Sequence, residues 1–159
     1  MAIDETLFRK VMGNFAAGVT VVTTRTVDRQ PCGLTATAFT SVSLVPPLVL
    51  VCIDKTAETY PHFGPAGIFA INFLATDQQA ISQRFAISGG DKFSDIDWRA
   101  GVLGAPILGG TIGHVECRIV HAHDGGDHTI FVGEIESATA TDGEPLIYFR
   151  GAYRQMRTA

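Results

Sequence analysis

The chain has 159 residues, 46% hydrophobic and 18% charged, which excludes a disordered chain and suffices for one domain, 1–159, with a real core. Its net charge of −4 gives no general attraction to nucleic acid, so any anion site must be built locally. The N-terminus, MAIDETLFRK, lacks the pattern of a secretory signal, and the longest apolar run, 44–53, holds two prolines and is too short to span a bilayer.

In chain order, residues 4–16 read as a helix. Leu7, Phe8, Val11, Met12 and Phe15 share one face, and Asp4 is placed to cap the start. A β-branched strand, GVTVVTT, opens at Gly18, and a polar turn near Asp28 to Gln30 leads to "GLTATAFTSVS", 33–43. Read as one strand, this stretch puts Gly33, Thr35, Thr37, Phe39, Ser41 and Ser43 on one face. Leu34, Ala36, Ala38, Thr40, Val42 and Leu44 then fall on the other. "PPLVLVCID", 46–54, is apolar throughout, as for a strand buried on both sides. Pro61 suits the first turn of a short helix capped by Thr59. "GIFAINFL", 67–74, is another strand, and Thr76 with Gln79 has capping-box spacing for a helix over 77–87.

Residues 88–111 are rich in Gly and Asp and read as an irregular segment that folds over something. Three strands follow, 113–123, 128–140 and 145–153, with turns at DGGDH and TDGEP. Strands that follow each other directly argue against parallel βαβ winding. A mainly β, antiparallel barrel with a few flanking helices fits the order better. Cys32, Cys52 and Cys117 have no paired spacing and read as reduced thiols of a cytoplasmic protein.

Four stretches could carry chemistry. The small, hydroxylated face of 33–43 would let a planar ligand approach the backbone, although composition alone favours an ordinary solvated strand face. "CIDKTAET", 52–59, offers Lys55 and amides that could hold a phosphate, or is simply a capped loop. His128 opens a strand beside Asp127 and is either a turn residue or a ligand contact at a barrel mouth. "YFRGAY", 148–153, offers aromatics and Arg150, or is an amphipathic terminal strand. His121 and His123 share a strand face, but no third ligand is spaced to join them, so no metal is expected. The sequence has no G-x-G-x-x-G, no phosphate-binding P-loop and no G-x-S-x-G.

Five stretches together resemble a known family. "FRKVMGNFAAGVTVVTT", "GLTATAFTSVSLVPPLVLVCIDK", "FAINFL", "GDHTIFVGE" and "PLIYFRGAYRQM" occur in the order and spacing of the short-chain NAD(P)H:flavin oxidoreductases, from about residue 7 to 156. These are the reductase components of two-component flavin monooxygenases. The resemblance implies an antiparallel Greek-key FMN-binding split barrel, usually a homodimer. FMN or FAD would lie along the opening strand, near Thr35, Ala36, Thr37 and Ala38, with Ser41 and Val42 close by. Cys52, Ile53, Asp54, Lys55 and Thr59 would hold the ribityl–phosphate end. Phe85, with the segment at Lys92 and Phe93, would close over the flavin. His128 would lie by the nicotinamide, and Tyr148, Phe149, Arg150 and Gly151 would complete that site.

The implied reaction is hydride transfer from NADH, or else NADPH, to the flavin. Reduced flavin would then pass to a partner flavin-dependent monooxygenase, with no part played by nucleic acid or membrane. Thr37 leaves FMN and FAD both open, and the lack of a basic cluster for a 2′-phosphate favours NADH. Two other readings use the same barrel. One is a non-catalytic flavin-binding module. The other is an oxidase of the pyridoxamine-phosphate type, which would want a richer basic set than is present.

Overall fold

Apolar side chains on inward positions of consecutive strands build most of this molecule, as the computed structural model describes it over residues 3–157. A seven-stranded antiparallel sheet is its centre, in the order β3 (Pro31–Ala36), β2 (Thr20–Arg25), β6 (Ile68–Phe73), β9 (Gly113–Gly125), β10 (His128–Ala140), β5 (Leu48–Asp54) and β4 (Phe39–Ser43). The two outer strands, β3 and β4, are neighbours in sequence. A link of only two residues, Thr37 and Ala38, joins them, so the sheet must curl until its edges meet. The Cys52 amide donates to the Ala38 carbonyl at 3.0 Å and fastens that seam.

Inside the barrel, Val22, Val51, Ile53, Phe69, Ile71, Cys117 and Phe131 form one buried cluster. Helix α2 (Tyr60–Ala66) adds Phe63, whose ring stacks on Phe131 at 5.3 Å. Burial of these side chains is the main stabilising term. A second cluster, with Val19, Val21, Leu74, Phe85, Phe93, Leu108 and Leu146, lies under α3 (Gln79–Ala86). A small sheet of β1 (Ala17–Gly18), β11 (Ile147–Phe149) and β12 (Ala152–Arg154) stands beside the barrel.

Several expectations are corrected. The stretch 33–43 is two strands, broken at Thr37–Ala38, and the break reverses the alternation of faces. Leu34 and Ala36 pack on the core before it and Phe39 after it, with the Phe39 ring 5.3 Å from Phe73. Strand β5 is buried on one face only, because Val49, Val51 and Ile53 point inward while Leu48, Leu50, Cys52 and Asp54 are half-buried. Residues 145–153 turn back at Arg150 and Gly151, both at positive φ, so β11 and β12 form a hairpin. The segment 88–111 contains its own hairpin, β7 (Trp98–Ala100) with β8 (Pro106–Leu108).

The capping expectations divide. Asp4 does cap the first helix, α1 (Glu5–Met12), by accepting from the Leu7 amide at 2.8 Å. That helix ends well before residue 16, and it buries no residue, its apolar face leaving Leu7, Phe8, Val11 and Met12 exposed. Thr76 makes no capping box, and its hydroxyl is buried without a partner. Gln78 stands at the cap position of α3 instead. Thr59 stands at the cap position of α2, but its hydroxyl donates elsewhere.

Candidate functional site

The break at Thr37–Ala38 is the natural starting point. Both residues are exposed, and among the described residues neither backbone amide donates to an acceptor. Their carbonyls are used, Thr37 accepting from the Phe39 amide and Ala38 from Cys52. The seam therefore presents two free donors beside small side chains, which suits the acceptor-rich edge of a flat heterocycle. Thr35 is not a free hydroxyl, because it donates to the Ser82 carbonyl at 2.6 Å and ties β3 to α3. Ala36 turns into the barrel core.

A cleft of about 250 Å³ opens between the end of β3, the Ser82 and Ala86 side of α3, and Tyr148 and Tyr153. The Ser82 and Tyr153 hydroxyls lie 2.7 Å apart, and the Tyr148 and Tyr153 rings meet edge-on at 5.3 Å. Thr35 and Ala86 also line a small depression of about 90 Å³. That depression shares Glu58, Thr59 and Lys92 with a polar cleft of about 260 Å³, where Cys32, His62 and Asp91 appear. The three hollows adjoin in a row, with Thr35 and Ala86 at one junction and Glu58, Thr59 and Lys92 at the other, and together form a groove. Thr59 holds its floor by donating to the Gly33 carbonyl at 3.1 Å.

One cation lies at mid-groove. The side chain of Lys92 is 9% exposed and its ammonium is 3.0 Å from Glu58. The second Glu58 oxygen accepts from the Gly89 amide at 2.8 Å. That amide and Lys92 hold the Glu58 carboxyl below its usual range.

The remaining predicted residues spread more widely. Ser41 and Val42 are exposed on β4. Cys52 is half-buried, and Ile53 is wholly buried, so it could lend only its backbone. The Asp54 carboxylate accepts from both the amide and the hydroxyl of Thr56 at 2.7 Å, which lowers its pKa. Lys55 is engaged by the Asp124 carboxylate and the Gly126 carbonyl, so its ammonium is committed to the β9–β10 turn. Phe85 and Phe93 are both buried, with ring centroids 5.1 Å apart, and back the groove from below.

His128 pairs with Asp54 in the sheet, and its Nδ1 lies 2.7 Å from Asp127. It lines none of the three parts of the groove, because β5 and β4 stand between β10 and the seam. Arg150 is held at the hairpin tip. Its amide donates to the Gly13 carbonyl and its Nε to Asn14 at 2.8 Å, with the guanidinium 5.1 Å from the Phe149 ring centre. Gly151 lines the same surface recess as Arg9 and Arg150.

Sequence reasoning missed Ser82, Ala86, Glu58 and Gly89, and took Tyr153 only as one aromatic of the stretch 148–153. Ser82 and Ala86 are small and four apart on a helix, a spacing that could have suggested a helix face bordering a cleft. No local signal joins Glu58 to Gly89. Burial pushes the Cys32 thiol up to about 11 and Cys117 up to about 12, so neither suits a nucleophile. Among the described residues, no three His, Cys, Asp or Glu side chains gather as metal ligands, and no helix is long and apolar enough to cross a membrane.

Residues 12–157 match the flavin reductase like domain family. The chain is 42% identical over 153 residues to the reductase subunit HsaB of a flavin-dependent monooxygenase from Rhodococcus jostii, covering 96% of this chain and 78% of that one. It is 46% identical over 146 residues to the NADH-dependent FMN reductase SmoA of Agrobacterium fabrum, covering 92% and 83%. A solved structure of the NADH:FAD oxidoreductase SgcE6 from Streptomyces globisporus, in complex with NAD and FAD fragments, superimposes with a TM-score of 0.92 at 40% identity, over 97% of this chain and 93% of that one.

Proposed function

The chain belongs to the flavin reductase like domain family, and on that premise we propose that it is an NAD(P)H:flavin oxidoreductase that reduces FMN or FAD with NADH. The observation that carries this is the groove itself, which runs from two free amides at the Thr37–Ala38 seam past a nearly buried lysine. A flavin has the matching parts, an acceptor-rich flat edge at one end and a phosphate at the other.

Bound flavin and nicotinamide supply the redox chemistry between them. The protein's tasks are positional. Thr37 and Ala38 offer amides to the ring edge, and Ala38 is small enough to leave its face clear. Thr35 and Thr59 hold β3 against α3 and α2. Phe85 and Phe93 stiffen the wall beneath. Lys92 and the Gly89 amide meet the anionic end, while Lys55 pairs with Asp124 at the β9–β10 turn. Cys52 meets the seam through its amide, which donates to the Ala38 carbonyl, and Ser41 and Val42 follow the seam along β4.

The family resemblance assigns His128 and the hairpin from Tyr148 to Gly151 to the nicotinamide, and of these the groove itself reaches Tyr148. Tyr148 opens on the same cleft as Thr37. Two relatives named for NADH support NADH as the donor. Relatives named as reductase components of flavin-dependent monooxygenases support a partner of that class, which takes the reduced flavin. The uncovered apolar face of α1, together with exposed Phe15, supports a homodimer in which a second copy covers it. Three unpaired cysteines fit the reducing cytoplasm.

Replacement of His128 by Ala tests the nicotinamide assignment. With saturating flavin, the variant is expected to lose at least about tenfold in kcat/KM for NADH, about 1.4 kcal/mol of transition-state stabilisation, while flavin affinity holds. Unchanged turnover would remove His128 from the site.

A further inference from the structure

We propose that the Glu58 carboxylate is an internal stand-in for the flavin phosphate, which fills the cradle of Gly89 and Lys92 in the free chain and must swing out when a phosphorylated flavin binds. The inference rests on the flavin reading above and goes beyond it by giving this chain a built-in competitor for its own ligand.

The cradle has the makings of a phosphate site. A lysine as buried as Lys92 requires a counter-anion or a ligand that supplies one. Gly89 and Gly90 both sit at positive φ, 82° and 76°, a conformation glycine adopts freely, and this turn presents the Gly89 amide to the cleft. A backbone amide and an ammonium converging on one point are donors that phosphate oxygens use. Glu58 reaches them from across the groove, 31 residues away from Gly89 in sequence.

The two partners differ in freedom. The Glu58 side chain is 47% exposed and has water to rotate into, whereas Lys92 is fixed in the wall. The pair also sits where the small depression meets the polar cleft, since both residues line both. An elongated ligand that follows the groove passes the carboxylate. A phosphate monoester carries about −1.5 to −2 charges at neutral pH, so it outcompetes a single carboxylate for Lys92 and repels it at close range. The Gly89 amide and Lys92 keep Glu58 ionised, so the competition operates at neutral pH. An occupant that re-enters whenever the ligand leaves lowers affinity and protects the cradle from other anions. Such a device suits an enzyme whose reduced flavin has to depart.

The test is equilibrium titration of flavin fluorescence with wild type, Glu58→Gln, Lys92→Met and the double variant, using FMN and, as a probe without phosphate, riboflavin. Glu58→Gln is expected to tighten FMN about five- to tenfold and to leave riboflavin unchanged, since only the charge is removed. Lys92→Met is expected to weaken FMN, and in the double variant the gain from Glu58→Gln is expected to vanish. Glu58 is half-exposed, so Glu58→Gln tests the idea even if Lys92→Met does not fold. An unchanged FMN affinity in Glu58→Gln overturns the proposal, as does an equal shift for FMN and riboflavin. A wild type that binds neither flavin overturns the flavin site itself, and this inference with it.

Discussion

The Thr35 hydroxyl donates to the Ser82 carbonyl at 2.6 Å, and Ser82 in turn shares a hydrogen bond with the Tyr153 hydroxyl. Three elements remote in sequence, β3, α3 and β12, are thereby fastened around one cleft. Thr35→Val keeps the shape and removes the donor. It is expected to cost about 1 kcal/mol of stability, a fall of roughly 2–4 °C in Tm for a chain of this size. Thermal unfolding checks this, and an unchanged Tm would mean that the link contributes nothing.

Ala38 is exposed at the seam, next to the groove-lining Thr37, so enlarging it crowds the seam rather than the core. Ala38→Leu is expected to retain the wild-type Tm and to weaken FMN and riboflavin alike, by about tenfold or more. Fluorescence titration of both flavins reads this directly. Wild-type affinities in the variant would move the ring away from the seam.

Glu116 is a buried carboxylate whose Oε1 accepts from the amides of Leu103 and Ala105, both at 2.9 Å. It holds the loop between β7 and β8 against the barrel. Glu116→Ala leaves one buried and one half-buried donor without an acceptor and is expected to cost about 2–4 kcal/mol. Glu116→Gln keeps an acceptor and is expected to cost clearly less. Denaturant midpoints measure both, and equal losses would contradict the role given to the accepted hydrogen bonds.

His114 is buried beside Arg99 and Glu116. Burial, with the Arg99 charge second, lowers its pKa below the ordinary 6.5, while Glu116 opposes them. The folded chain therefore binds this proton less readily than the unfolded chain. Its contribution to stability is complete above about pH 6.5 and is lost as pH falls through the folded-state pKa. Tm is expected to fall between pH 8 and pH 5, with a smaller fall in His114→Gln. Parallel pH profiles for the two proteins would contradict this origin.

Strand-forming runs were legible because burial on the barrel imposes period-two or continuously apolar patterns, and 128–140 is β10 to the residue. The break at Thr37–Ala38 was not. Both residues satisfy the alternation locally, and only closure of the sheet on itself places a kink there. Thr76 illustrates a different limit: its spacing to Gln79 fits a capping box, yet tertiary packing buried the hydroxyl and put Gln78 at the cap. Of the site, the small residues around the break were visible in sequence, but not as one face, since the alternation reverses at Thr37–Ala38. The Glu58–Lys92 pair and the Ser82 wall were not, because their partners are brought together only by the fold.

The most direct measurement is the loss of absorbance of NADH at 340 nm, with FMN and FAD supplied separately in excess. The reductase reading requires fast NADH consumption that depends on added flavin, and the ratio of the two rates identifies the preferred one. Flavin binding without consumption of NADH or NADPH would contradict it and leave a flavin-binding module in its place.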